Sequence, residues 1–288
     1  MSIFASLSET LSTQPPDDTV VDHIAYQQVG SVGIVTLARP DLHNALNLAA
    51  WTRLAALFDG AADDPTVRAM VVRGSGDRAF GAGADIHEFP LRRMSAGAAI
   101  HYNEAIAAAL TSVMRVPAPV IAMVHGLAVG GGCELAAACD IRIAASGSRF
   151  GIPIGRLGVT LGYVEASALA RLIGPAELKY LLFSGRLLSA DDALRIGLVQ
   201  QLTADGELIT ETVSLLRAIL ASSEVTMRAA KLVADMYGRP LTARDTEQLT
   251  RVTVEAYDGS DLKEGVAAFR EGRSPRFTDE RNREHGCA

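Results

Sequence analysis

Two glycine-rich segments carry the most pointed chemical pattern in this chain. The first is Phe80-Gly81-Ala82-Gly83-Ala84-Asp85-Ile86, and the second is His125-Gly126-Leu127-Ala128-Val129-Gly130-Gly131-Gly132-Cys133-Glu134-Leu135. Each follows a run that reads as a buried strand, and each opens a predicted helix. Backbone N–H groups at a helix start have no intrahelical partner and can meet negative charge. Two of them aimed at one carbonyl oxygen form an oxyanion hole, the device that stabilises the enolate of a thioester. Glu134 stands three residues past Gly131 on an otherwise apolar helix start. A carboxylate there can take a proton from water or from a substrate carbon, and burial raises its pKa towards useful values. The plainer reading is a partner for the helix dipole in the first turn.

The elements that must hold these segments are readable from periodicity. Residues 23–29 and 33–38 alternate around Gly30-Ser31-Val32 as a hairpin. Leu48, Trp51, Leu54, Leu57 and Phe58 have helical spacing. Residues 69–73, 120–124 and 140–144 read as short buried strands, 99–114 and 132–139 as helices, and 88–98 as irregular. Such alternation predicts βαβ units and an α/β layered core. After residue 162 helices dominate, over 175–183, 190–196, 210–221, 224–237, 245–257 and 262–271. The expected division is a loose tail over 1–20, rich in Ser, Thr, Pro and Asp, an α/β core over 21–205 and a helical region over 206–288. No internal repeat stands out.

Composition narrows the function classes. At 288 residues and 49% hydrophobic content the chain can bury a large core. A net charge of −6 with scattered basic residues gives no footprint for nucleic acid. No apolar run is long enough for a membrane span, and the N-terminus lacks the pattern of a secretory leader. Cys133, Cys139 and Cys287 make an odd count that points to a reducing, cytoplasmic compartment. The first two read as small core residues, and no ligand spacing suggests a metal.

The two glycine segments do not stand alone. Val35-Thr36-Leu37-Ala38-Arg39-Pro40-Asp41-Leu42-His43-Asn44-Ala45-Leu46-Asn47 precedes them. Cys139-Asp140-Ile141-Arg142-Ile143-Ala144, Phe150-Gly151-Ile152-Pro153, Ser189-Ala190-Asp191-Asp192-Ala193, Gly197-Leu198-Val199 and Glu264-Gly265-Val266-Ala267-Ala268-Phe269 follow. In this order, from about residue 24 to about 278, they resemble the crotonase superfamily, also called the enoyl-CoA hydratase/isomerase family. The resemblance implies a ClpP-like spiral of stacked ββα turns with a C-terminal helical trimerisation region, and a homotrimer or dimer of trimers. It implies an acyl-CoA or enoyl-CoA substrate and no cofactor beyond the CoA carried by that substrate. It makes the N–H groups of Ala84 and Gly131 the oxyanion donors, and Glu134 the first of two catalytic glutamates. CoA binding carries over to Asn44, Ala45, Ala82, Asp85 and Ile86, with His87 along the pantetheine and Gly162 beside the reacting water. Residues 269–277 read equally as a nucleotide contact or a solvated tail. His43 and His87 read as entrance residues, and His125 as a backbone hydrogen-bonder.

One departure matters most. Hydratases of this family carry their second glutamate twenty residues after the first, just past the F-G-x-P segment; here that position is Ile154. Isomerases of the family keep their single base at that same site. Tyr163 and Glu165 lie nearby and are read as a pocket-wall or core aromatic and as a helix N-terminal acid. The resulting expectation is a hydratase-like lyase that uses Glu134 alone, slow on crotonyl-CoA and faster when Ile154 becomes a carboxylate. Double-bond isomerisation, decarboxylation and non-catalytic acyl-CoA binding are the alternatives.

Overall fold

Aliphatic residues crowd β3 (Val32–Leu37), β4 (Ala69–Gly74) and β6 (Val120–Val124), and nearly every residue in them is buried. Strands this apolar on both faces belong at the centre of a covered parallel sheet. In the computed structural model, which describes residues 2–277, they do. The large sheet also contains β1 (Val20–Val21), β2 (Ile24–Val29), β8 (Ile141–Ala145) and β11 (Gln201–Thr203), in the order β1-β2-β3-β4-β6-β8-β11. Pairing is antiparallel from β1 to β3 and parallel from β3 to β11. A smaller sheet runs β10-β9-β7-β5, with β5 (Ala79–Gly81), β7 (Leu127–Val129), β9 (Arg149–Gly151) and β10 (Leu188–Ser189).

The connection between the sheets is the repeat that sequence self-similarity did not reveal. β4, β6 and β8 each lie in the large sheet, and β5, β7 and β9 follow each in turn in the small one. A helix closes each turn: α4 (Ala96–Arg115), α5 (Gly131–Ala138) and α6 (Tyr163–Ser184). Three ββα turns therefore stack as a spiral, as the resemblance implies. Side chains alternate across the large sheet. Val35, Leu37, Met70, Val72, Val120 and Ala122 enter the main core with α2 (Leu48–Asp63), α4, α5 and α6. Val32, Ile34, Ala69, Val71, Ile121 and Met123 enter a second core on the opposite face.

That second core corrects one expectation. Residues 3–12 are not a loose tail but a helix, α1 (Ile3–Ser12), capped by the Ser2 side chain. Leu7 and Leu11 are fully buried in the second core beside Leu208, Val213 and Leu216 of α8 (Leu208–Leu220). The buried guanidinium of Arg73 on β4 donates to the carbonyls of Leu11 and Thr13, which ties the end of α1 to the sheet. Two further differences concern helices. α6 starts at Tyr163, well before Pro175, and Gly174 (φ 75) kinks it without ending it. The 88–98 stretch holds a short helix, α3 (Phe89–Arg92). Past β11 the described residues are helical: α8, α9 (Glu224–Met236), α10 (Ala243–Asp258) and α11 (Ser260–Glu271), while α7 (Ala190–Arg195) lies just before it. Since α8 helps to form the second core, the α/β body reaches beyond residue 205.

Candidate active site

The two glycine segments meet. Leu46 N–H donates to Gly83 O at 2.7 Å and Asp85 N–H to Leu46 O at 2.8 Å. This single bridge pins the first segment on either side of Ala84 and leaves the Ala84 N–H outside the pairing. Gly131 is the first residue of α5, so its N–H has no intrahelical partner. The backbones approach so closely that side chains have no room. A Cβ at Gly83 (φ +85) would stand 2.6 Å from the Gly131 nitrogen. One at Gly132 would stand 2.0 Å from the Gly81 oxygen, and one at Gly131 would stand 2.7 Å from the Trp51 ring. The first segment does not open a regular helix, as its spacing had suggested. A single 3-10 turn over Ile86–Glu88 follows it, capped by Asp85.

α5 itself is held from behind. All eight of its residues are buried. The Arg142 guanidinium donates to the carbonyls of Ala136 at 3.0 Å and Cys139 at 2.6 Å at its C-terminal end. It also reaches Leu198 O and Gln200 Oε1. A cation at that end complements the helix dipole, and the positive end faces the Gly83 turn.

One cavity adjoins both N–H groups. Ala82, Ala84, Gly131, Glu134, Ile154, Gly162 and Glu165 line it, with Arg93, Phe89 and Ile106 on another wall. Its volume is about 140 Å³. Glu134 is only 6% exposed, and its carboxyl receives no hydrogen bond from the described residues. Burial, and then the charge of Glu165, push its pKa up to about 8, against a smaller downward pull from Arg93. Glu165 is 3% exposed and is also raised by burial, while its own backbone N–H and Arg93 pull the other way. Arg93 is stacked between the Phe89 and Tyr102 rings, at 4.8 and 4.7 Å from their centroids, and donates to Asn103 Oδ1 at 2.5 Å.

The residues expected from the sequence divide into two groups. Ala82, Ala84, Ile86, Gly131, Glu134, Ile154 and Gly162 share the cavity. Asn44, Ala45, Asp85 and His87 do not line it. Asn44 (φ 56) is buried, and its amide donates to Ser75 O at 2.9 Å and Ala79 O at 2.7 Å while accepting from Arg39 N–H. Its side chain latches the first loop to β5. Asp85 accepts from Arg39 at 2.6 Å and from His87 Nδ1 at 2.9 Å, so it too is a latch, and its pKa sits below the usual carboxylate range because these donors outweigh burial. Tyr163 is neither pocket wall nor core: it is 87% exposed and borders a separate groove with Arg171 and Tyr237. His125 is half-buried and held towards its neutral form by that burial and by Arg73. Arg273 folds back on Glu264 and Glu271 of α11. Among the described residues no cluster of metal-ligating side chains occurs.

Sequence reasoning missed Arg93, which lies in a stretch without periodicity, and did not place Glu165 on the cavity wall. The local signature of Glu165, an acid after a glycine at a helix start, is the same whether the turn faces solvent or a cavity.

The comparisons with known proteins agree with this fold. The family model described as enoyl-CoA hydratase/isomerase matches residues 27–281. The crotonyl-CoA hydratase of Syntrophomonas wolfei is 34% identical over 260 residues, spanning 89% of this chain and 98% of that protein. The short-chain-enoyl-CoA hydratase of Clostridium acetobutylicum is 32% identical over 255 residues, spanning 88% and 96%. Among solved structures, an enoyl-CoA hydratase/carnithine racemase from Magnetospirillum magneticum superposes with a TM-score of 0.85 at 36% identity, covering 91% of this chain and 97% of that one. The enoyl-CoA hydratase of Bacillus anthracis gives a TM-score of 0.82 at 29% identity, covering 90% and 100%.

Proposed function

From the premise that the chain belongs to the enoyl-CoA hydratase/isomerase family, we propose that it hydrates short 2-enoyl-CoA thioesters. The observation that carries this reading is the contact of the Gly83 turn with the first N–H of α5, one helical turn below a buried glutamate. Placed against that contact, the thioester oxygen receives the N–H groups of Ala84 and Gly131. Charge that moves onto this oxygen as water adds to C3 is then met by fixed backbone donors. The relatives named as crotonyl-CoA and short-chain-enoyl-CoA hydratases support the same substrate class. A cavity of about 140 Å³ holds a group of benzene's size, which suits a short acyl chain. CoA enters as part of the substrate, and the addition uses water and carboxyl groups without a further cofactor.

Isomerisation and decarboxylation need the same oxyanion donors but only one acid–base group. Two buried carboxyls on one cavity favour hydration over both, and over simple binding. The assay is loss of the conjugated enoyl absorbance of crotonyl-CoA. Wild type is expected to turn it over, and Glu134→Gln to lose about 10²–10⁴-fold in kcat. Equal rates for the two would overturn the assignment.

A trimer, or a pair of trimers, is the assembly we propose. Val233, Tyr237, Val254, Tyr257, Val266 and Phe269 on α9–α11 and their connections are exposed apolar side chains in the single chain, and a closed ring would bury such faces. Light scattering should then give a multiple of three times the 30.4 kDa chain mass. Cys133 and Cys139 are buried free thiols, which suits a reducing, cytoplasmic setting. No helix among the described residues is long and apolar enough to cross a membrane.

A further inference from the structure

Glu165 is a buried carboxyl without an assigned task. It stands in the first turn of α6, 3% exposed, on the same cavity as Glu134. Its Oε2 is shut off from solvent and accepts no hydrogen bond among the described residues. Such an oxygen costs free energy to bury. The chain nevertheless makes room for it, since a Cβ at Gly162 would lie 2.2 Å from that oxygen. An acid that served only the N-terminus of α6 would do so equally well facing water. The charged groups acting on it are Glu134 from α5 and Arg93 from the turn between α3 and α4.

We propose that Glu165 is the second acid–base group of this site, taking a proton from the attacking water while Glu134 protonates C2 of the substrate. The inference rests on the hydratase reading above. Addition of water across a double bond requires one proton to leave water and one to arrive at carbon, on groups that face the same small space. Glu165 as carboxylate accepts a proton from water as the water oxygen bonds to C3. The C2–C3 π pair passes to C2 and, through the thioester carbonyl, onto the oxygen held by Ala84 and Gly131. The Glu134 carboxylic acid then gives its proton to C2, and the electron pair returns to form the C–H bond. Glu134 is left ionised and Glu165 protonated, and transfer of that proton back to Glu134 restores the start. The sum is one water added and nothing else consumed. Arg93 is a positioning residue in this scheme, because its cation favours ionisation of the pair while repulsion between the two carboxyls disfavours a second negative charge.

The experiment measures crotonyl-CoA hydration by wild type, Glu165→Gln and Glu165→Asp across pH, with binding of the saturated butyryl-CoA as a check on the fold. Glu165→Gln should bind butyryl-CoA as wild type does and lose about 10²–10⁴-fold in kcat. The acid limb of kcat/KM, where Glu165 takes up a proton, should vanish with it and persist in Glu165→Asp. If Glu165→Gln does not fold, Glu165→Asp carries the test. Its carboxyl is withdrawn by one methylene and should cost about 10²-fold; an unchanged kcat overturns the proposal. Wild-type hydration with an equally active Glu165→Gln, or a slowed one that keeps its acid limb, removes Glu165 from the chemistry and leaves the hydratase reading in place. A wild type that hydrates no enoyl-CoA sinks both.

Discussion

Replacing Gly83 by alanine tests the oxyanion hole without touching any functional group. The added Cβ would sit 2.6 Å from the Gly131 nitrogen and 2.8 Å from the Val129 oxygen, about 0.8 Å short of ordinary contact at 3.4 Å. Both neighbours are backbone, so the two turns must part by that amount. An oxyanion donor works at 2.7–3.1 Å from the developing charge, and loss of one donor costs about 3–4 kcal/mol, or 10²–10³ in kcat. A shift of this size takes the Gly131 N–H to the edge of its range, so the expected loss in kcat for crotonyl-CoA is about 10²-fold or more. The backbone at φ +85 adds a stability cost of about 1–2 kcal/mol for any L side chain, seen as a fall in Tm of about 2–8 °C. The assay pairs steady-state hydration with a thermal melt. A folded Gly83→Ala enzyme with wild-type kcat would show that these two turns do not act on the substrate together.

Three further outcomes are expected. Burial holds the Glu134 pKa at about 8, above its unfolded value, so its stabilising share is complete below that unfolded value and is lost as pH rises towards 8; Glu134→Gln should therefore melt higher than wild type at pH 8 and lose this advantage at pH 4. Leu11→Ala should lower unfolding free energy by about 2–5 kcal/mol, measured by denaturant titration, because Leu11 is buried against α8; a loose tail would give no change. Ile154→Glu should gain no hydratase activity, since it adds a third acid to a cavity that already holds Glu134 and Glu165; a gain in kcat would return the second acid–base role to position 154.

The sequence was most informative where backbone geometry is enforced by residue type. The glycines at 81, 83, 131 and 132 marked both turns, and the alternating aliphatic runs marked the strands beneath them. The spiral was not visible because its repeat lies in the strand path between two sheets, not in residue identity. α1 escaped notice because Ser and Thr dilute a short pattern, although Ser2 followed by Leu7 and Leu11 at helical spacing was a usable signal. The motif places the backbone of Asn44 and Asp85 at CoA, and it gave no sign that their side chains hold loop carbonyls and Arg39. Tyr163 and Glu165 are two residues apart in the first turn of α6, so they point in different directions, one outwards and one into the cavity. Where α6 starts decides which is which, and the sequence does not fix that start to the residue.

The touching glycines divide the site into parts with opposite tolerance to change. The half proposed to hold the enolate is built from backbone, and each neighbour fills the space a side chain would need. Substitution there strains two turns at once. The proton-handling half is built from side chains on the cavity wall, where Ile154 and Glu165 approach the same space from separate elements. An acid can be lost from one wall position and supplied at another without disturbing the oxyanion contact. A scaffold of this kind can change which proton it moves, and so which reaction of an acyl thioester it promotes, by exchanging single wall residues around an unaltered backbone device.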